Sequence, residues 1–409
     1  MMRSYQHGIL PAFGLYTLAL VAIISCLAST SQAQERIEPQ DSAISESGEL
    51  VAIQDALAAI ESDQGAYGSA IPEQLLSLGL MLQQGGQHAQ ALTTFKRGVH
   101  LTRINEGLYS KEQIPFIQGE IQSYLVLGEL DVADERQAYL LKVQMRSMPS
   151  GDAFIQAIME QADWQLVAYG LEIGGAKASY GHLQTMKNLY HMAIQDILQY
   201  EKSTSHKLLP PLHGLLRTQY LLSAYDAKNQ GNAQPATDLK IQFNRYQGGI
   251  FKMGISIIKS IQQVELNTHG QNSLQVVKAL VMVGDWNLWN NKRDGAHLAY
   301  LDALQELTTL DDAELQTEHL FGAPVPLPDI DGIRSMPPSV EPDEGMVLLE
   351  FGVDEHGRVF QITRLDEVET DEETVKDLMK IIRRTKFRPR YDGLEPVITE
   401  KILRGYEIY

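Results

Sequence analysis

One cysteine, Cys26, stands in 409 residues, so no disulfide can close within the chain and no thiolate cluster can hold a metal. Positive charge is also scarce: 34 lysines and arginines face 52 aspartates and glutamates, a formal net charge of −18. A non-specific nucleic-acid binder needs a basic face to displace counterions, and this balance argues against one. It argues equally against docking onto anionic lipid by net charge, and it favours solubility. Catalytic signatures are missing as well. The chain has no HExxH, no GxSxG between a strand and a helix, no P-loop and no GxGxxG. His88, His182 and His191 stand apart on helical stretches and read as surface or internally satisfied side chains. The acidic pairs Asp311-Asp312 and Glu372-Glu373 fall near expected helix starts, where carboxylates favour the helix dipole. No enzyme, cofactor or metal site is expected.

What is present suits a folded protein. The hydrophobic fraction is 44% and the charged fraction 21%, ordinary values that allow two or three domains. The first residues carry Arg3, an apolar run follows from Ile9 to Ala28, and Ser31-Gln32-Ala33 makes a small-x-small cleavage pattern. Residues 1–33 therefore read as a signal peptide and the body as periplasmic. Two alternatives stay open: a lipoprotein acylated at Cys26 after Ile23-Ile24-Ser25, or an inner-membrane anchor of about 20 residues. Membrane association is expected only if this segment is retained or Cys26 is lipidated. Residues 34–48 are polar and aperiodic, a flexible lead-in.

Residues 49–320 read as helical. Leu75, Leu78 and Leu82 share a face behind Pro72, and Gly85-Gly86 stop that helix; Leu92, Phe95, Val99 and Thr102 share the next. Similar pairs are expected at Ile121–Leu127 with Val132–Val143, and at Leu274–Leu288 with Ala296–Leu307. Gly86 precedes Ala91 by five residues and Gly128 precedes Ala133 by five, an offset of 42. Ala91-x-x-x-Phe95 and Ala296-x-x-x-Tyr300, with turns at Gln84–Gln87 and Lys292–Gly295, resemble the second helix of tetratricopeptide repeats. That resemblance implies a solenoid whose concave face binds protein. Between Ser150 and Asn272 no repeat can be phased, and long helices over Gly181–Glu201 and Leu239–Glu265 are expected to interrupt the stacking. Trp164, Trp286 and Trp289 read as core rather than groove aromatics.

Residues 321–344 are proline-rich and read as an extended linker. Asp329-x-Asp331-Gly332 resembles the start of a calcium loop but lacks its later ligands. From 345 to 409 the pattern changes to period two. Val347, Leu349, Phe351 and Val353 alternate, Asp354-Glu355-His356-Gly357 turns, and Val359, Gln361 and Thr363 continue. Glu372 to Thr385 reads as a helix ended by Phe387-Arg388-Pro389, Asp392-Gly393 as a turn, and Val397 to Ile408 as a closing strand. This β-β-α-β order, with Gly345, Val353-Asp354-x-x-Gly357-x-Val359, Phe387-x-Pro389 and Gly393-x-x-x-Val397, resembles the TonB C-terminal domain.

The fold class expected is thus α+β and multidomain: a mostly α-helical, tetratricopeptide-like solenoid followed by a small TonB-like domain. The TonB resemblance implies protein binding, in which an edge strand pairs with a short segment of an outer-membrane TonB-dependent transporter. The corresponding residues here are Val397, Ile398, Thr399, Glu400, Lys401 and Ile402. The chain departs from energy-transducing members of that family. Its apolar N-terminal run contains no histidine, no long Pro-rich spacer follows that run, and Met336-Pro337-Pro338-Ser339 replaces the usual Tyr-Pro motif. An envelope adaptor is the first reading; an energy transducer, or a structural or assembly factor without a transport role, are the alternatives.

Overall fold

A computed structural model describes residues 10–11, 39–225, 237–343 and 345–407. The export segment expected at 1–33, with Cys26 and the Ala33 cleavage site, lies outside the described residues except for Leu10–Pro11, which pairs antiparallel with Ile333–Arg334. Among the described residues no helix is long and apolar enough to cross a membrane. Two compact units emerge, one of residues 23–189 and one that contains 190–409.

The first unit is helical: α1 (Pro39–Gln64), α2 (Ile71–Gln84), α3 (His88–Glu106), α4 (Ile114–Val126), α5 (Leu130–Ser147), α6 (Asp152–Gly170) and the first half of α7 (Ala176–Tyr200). Proline opens α2 and α4 within their first turn, where its missing N–H costs no hydrogen bond. The expected flexible lead-in at 34–48 is corrected in part, because α1 begins at Pro39. Ile53, Leu57 and Ile60 pack its second half on the core, and a helix anchored at one end extends without a new nucleation step.

The helical hairpins close with one recurrent turn. After α2 the Gln87 amide donates to the Leu82 carbonyl (2.7 Å) and the Gly86 amide to that of Gln83 (3.0 Å). This 6→1 and 5→2 pair is a Schellman motif, and it requires a left-handed residue at its centre. The same two bonds recur as Glu129 to Tyr124 with Gly128 to Leu125, Ile173 to Ala168 with Glu172 to Tyr169, and Lys292 to Asn287 with Asn291 to Leu288. The central φ is +71° at Gly86, +76° at Gly128, +53° at Glu172 and +61° at Asn291. The middle of the chain therefore does carry a phased repeat: α6 and α7 form a third hairpin. Its signal is hidden because Glu172 replaces glycine at the left-handed position and Gly174-Gly175 lengthen the loop.

Counted from the central turn residue, the first and last of these hairpins are filled alike. Phe95 is fully buried between Gly79 and Gly119, where an added Cβ would lie 2.3 and 2.6 Å from its ring. Gly284 holds the corresponding place against Tyr300, at 2.2 Å. The second hairpin has Ile121 and Gln137 at those two positions. Around it runs a polar seam: Gln161 donates to the Oε1 atoms of Gln137 (3.1 Å) and Gln144 (3.2 Å), and buried Glu120 pairs with Arg136 (2.6 Å). In the third hairpin, buried His182 lies between Gln165 Oε1 (2.8 Å) and the Ile173 carbonyl (3.1 Å). Burial raises the Glu120 carboxyl above its ordinary range, against the pull of Arg136 and Lys96.

The second unit adds α8 (Leu209–Ala224), α9 (Thr237–His269), α10 (Leu274–Trp289), α11 (Arg293–Leu307) and α12 (Ala313–Phe321). The strands follow: β1 (Val325–Pro326), β2 (Val347–Val353), β3 (Val359–Arg364), then α13 (Glu372–Arg384), β4 (Phe387–Arg388), β5 (Arg390–Asp392), β6 (Glu395–Val397) and β7 (Thr399–Tyr406). β2 is central in an antiparallel sheet of order β3-β2-β7, while β5 pairs with β6 and β1 with β4. The inward residues of β2, Val347, Leu349, Phe351 and Val353, pack with Val375, Leu378 and Ile382 of α13. Asp371 caps α13, accepting from the Glu373 (3.3 Å) and Thr374 (3.2 Å) amides; the Thr374 hydroxyl (2.8 Å) first, and then these amides, hold its carboxyl below the usual range. Acids in the first turn and Arg383 and Arg384 in the last suit the helix dipole. The protein is thus mostly helical, with repeated hairpins and a small C-terminal sheet.

Candidate protein-binding edge and its anchorage

β7 is a rim strand. On one side it pairs with β2 in the register Leu349 with Arg404, Glu350 with Leu403 and Phe351 with Ile402. On the other side one stretch of chain touches it: Val340 and Gly405 exchange both main-chain bonds, at 3.0 and 3.3 Å. Gly405 therefore turns its N–H and C=O outward. Because orientation alternates along a strand, Leu403 turns its own the same way. Among the described residues nothing pairs with Leu403 on that side, and its side chain is 44% exposed. A register shift between Ile402 and Thr399 then bends the strand, a device that commonly ends pairing at a sheet edge.

The six residues read from the sequence fall in two places. Thr399, Glu400, Lys401 and Ile402 lie in β7 beside the open edge. Val397 belongs to β6 and is already paired with Arg390, and the exposed Ile398 links the two strands. The single closing strand expected from Val397 to Ile408 is corrected accordingly. Asp392–Glu395 closes a separate hairpin, which takes Val397 out of the edge. Leu403 was missing from the candidates. Its apolar character reads as one more core position, and only the register shows its main chain facing out.

The proline-rich stretch is extended, but it does not hang free as a linker. β1 pairs with β4, the Leu327 amide donates to the Lys386 carbonyl (2.8 Å), and Leu327 is fully buried. The adjoining strip, 386–391, is locked to the last helical hairpin. Lys386 donates to the Trp289 carbonyl at the end of α10 and to Asn291 Oδ1 (2.9 Å) in the Schellman turn. Burial, then nearby Arg293, pulls its ammonium below the ordinary lysine value. Buried Arg388 pairs with Asp329 and lies 3.6 Å from Asp285, whose carboxylate also accepts from the Tyr300 hydroxyl (2.8 Å). Burial pushes Asp285 up to about 6, against the opposing pull of Arg388. Tyr391 continues the contact, packing edge-on to Tyr300 and Phe321 and receiving or donating a bond with His297 (3.1 Å).

These pairings explain the partial calcium-loop pattern. Asp329 is engaged with Arg388, and Asp331 acts on His213 beside Arg217. The His213 imidazole is lowered by burial first, with Asp331 opposing. Neither Arg388 nor Asp285 could be singled out in sequence, since a charged residue in Phe-Arg-Pro or in a helix reads as solvent-facing. Trp164 and Trp286 are buried as core aromatics, and Trp289 is partly buried beneath Lys386.

No protein-family model matches the chain, and no curated protein is similar to it. Solved structures do match. One is a Podosopora anserina protein assigned as a kinesin light chain and built of nearly identical TPR-like repeats; it shares 13% identity over 60% of this chain and 95% of its own, with a TM-score of 0.35.

Proposed function

We propose that this protein is a non-enzymatic, protein-binding adaptor of the bacterial envelope, in which the open edge of β7 accepts an extended segment of a partner protein. The single observation that carries the reading is the unpaired outward main chain at Leu403, on a rim strand whose other side pairs with β2 from Ile402 to Tyr406. Such an edge supplies affinity through main-chain bonds and selects through alternate side chains. The resemblance of residues 345–409 to the TonB C-terminal domain supports a TonB-dependent transporter as the partner. The helical hairpins support a second protein-binding surface. A periplasmic location rests on the export signal read in residues 1–33. Anchorage of the sheet through Lys386 and Arg388 fits a scaffold better than a transducer, because here the proline-rich stretch is not a free spacer.

The test uses a peptide carrying a transporter's coupling segment. Leu403→Pro removes the outward N–H and leaves the bonds to β2 intact, a position where an edge strand tolerates proline. Affinity should fall at least about tenfold, the loss of about one charge-free main-chain bond or more, with an unchanged melting curve. Equal affinity for wild type and variant would sink the edge reading.

A further inference from the structure

The ends of α3 and α5 remote from their Schellman turns carry a second candidate surface, in the first unit. Arg146 stacks over the Tyr109 ring at 4.2 Å and Lys142 lies 5.4 Å from its centroid. A hydrogen bond from Lys142 is the first cause that holds the Tyr109 phenol below its ordinary value; burial opposes it, and the charges of Arg146, Lys142 and Arg103 add to the lowering. Every charge acting on it is a cation. Arg103, Lys142 and Arg146 make no ion pair among the described residues, and Lys142 and Arg146 both lie over the Tyr109 ring. Three unpaired cations on one tip stand out in a chain of net charge −18.

Large apolar side chains share the tip. Ile104 is 52% exposed, Leu108 50% and Met145 47%. Tyr67, whose carbonyl accepts from Asn105 (3.4 Å), is 61% exposed. The acids adjacent in sequence are Glu106 and Glu112. Cations, tyrosines and half-exposed aliphatics together are the composition of a water–bilayer boundary, where aromatic rings sit at headgroup level and long cationic chains reach phosphates.

We propose that this tip docks onto an anionic bilayer, with Ile104, Leu108 and Met145 entering the headgroup boundary while Arg103, Lys142 and Arg146 meet lipid phosphates. Two helix ends and a loop offer projecting side chains to a plane; an acidic peptide would need a groove to bury its own apolar anchors. The net negative charge of the chain does not forbid the contact, because charges beyond about 8–10 Å are screened at physiological salt and only the tip comes that near.

Cosedimentation of the full chain tests the proposal, comparing vesicles of phosphatidylcholine alone with vesicles that also contain phosphatidylglycerol. The apolar run at Ile9–Ala28 sets a baseline common to both. Binding should rise with phosphatidylglycerol. The double variant Lys142→Glu/Arg146→Glu should lose that rise, by about fivefold or more per cation. Leu108→Ser, which keeps every charge, should also weaken it; a far-ultraviolet melt confirms that both variants fold. Equal binding to the two vesicle types, or variants that bind as the wild type does, overturns the proposal. So does polyglutamate binding that requires Lys142 and Arg146 when phosphatidylglycerol vesicles do not bind, since the ligand would then be an acidic polypeptide.

Discussion

The first and last helical hairpins that close with the Schellman turn, and the two that lie between them in sequence, share one backbone turn and fill its interior by opposite chemistry. In α2–α3 and α10–α11 a glycine admits an aromatic ring to van der Waals contact, as Gly79 does Phe95 and Gly284 does Tyr300. In α4–α5 and α6–α7 no aromatic takes that place: Gln137 stands opposite buried Ile121 in the one and Gln165 stands in the other, and Gln137, Gln161, Gln144, Gln165 and His182 are bonded to one another or to main chain. The backbone turn constrains φ and ψ only at the turn residues and says little about the volume or polarity of the space further along the two helices, where Gly79 meets Phe95. Apolar packing tolerates a rough match and is felt as a cavity when lost. A polar interior is stable only while every partner is present.

The comparison can be broken most forcefully at Phe95. Phe95→Ala empties the space between Gly79 and Gly119 and should cost about 3–5 kcal/mol, read by chemical denaturation. The same substitution would cost little if the ring were a surface ornament of the turn.

Tyr300 differs from Phe95 by one hydroxyl, and that hydroxyl donates to Asp285. Here the last hairpin departs from the first, because its aromatic also serves the Asp285–Arg388–Asp329 cluster. Arg388→Ala should destabilise by about 3–5 kcal/mol, the usual cost of stranding one member of a buried pair. The pH dependence is more diagnostic. Asp285 is raised from 3.8 to about 6 in the folded state, so the folded protein holds this proton more tightly than the unfolded chain. Its contribution is fully present below the unfolded value and is lost as pH rises toward about 6, a fall of about 3 kcal/mol. Asp285→Asn should remove that slope from the difference between wild-type and variant stability curves. A slope that survives the substitution would assign it to another group.

Inside the polar seam, Gln161→Leu leaves the Oε1 atoms of Gln137 and Gln144 without their donor and should cost about 1–3 kcal/mol despite the gain in apolarity. A neutral result would mean that water or a side-chain flip replaces the amide, and the contrast between the hairpin types would be one of composition alone.

The smallest effect belongs to the turn. Glu172 occupies a left-handed position that glycine fills at 86 and 128. Glu172→Gly should therefore stabilise the third hairpin by about 1 kcal/mol, seen as a modest rise in melting temperature. No rise would indicate that the Glu172 side chain compensates its own backbone strain.

The same contrast explains how much of the fold was legible. Hairpins with Gly-Gly or Leu-Gly turns and an Ala-x-x-x-aromatic second helix announce themselves, as at Gly86, Ala91 and Phe95. The third hairpin does not, because Glu172 replaces the glycine, two residues lengthen its loop, and its interior glutamines read as surface. In the sheet, alternation identified β2 and β3, and the pair Glu372-Glu373 marked the start of α13. The division between Val397 and Thr399 escaped, since one residue, Ile398, separates two strands that both look like continuous extended chain.

Composition and periodicity by themselves determined that this is a mostly helical protein with a small β-β-α-β end, because burying one face of each element imposes a period that local sequence must carry. Only the tertiary structure decided which polar residues are interior, that the proline-rich stretch is welded to β4, and that the outer edge of β7 is paired at Gly405 with Val340 and open at Leu403. Those features depend on partners distant in sequence: Arg388 is 103 residues from Asp285 and 59 from Asp329. No local pattern records such a pairing, since a charge that will be buried by a distant partner has the same neighbours in sequence as one that stays in water.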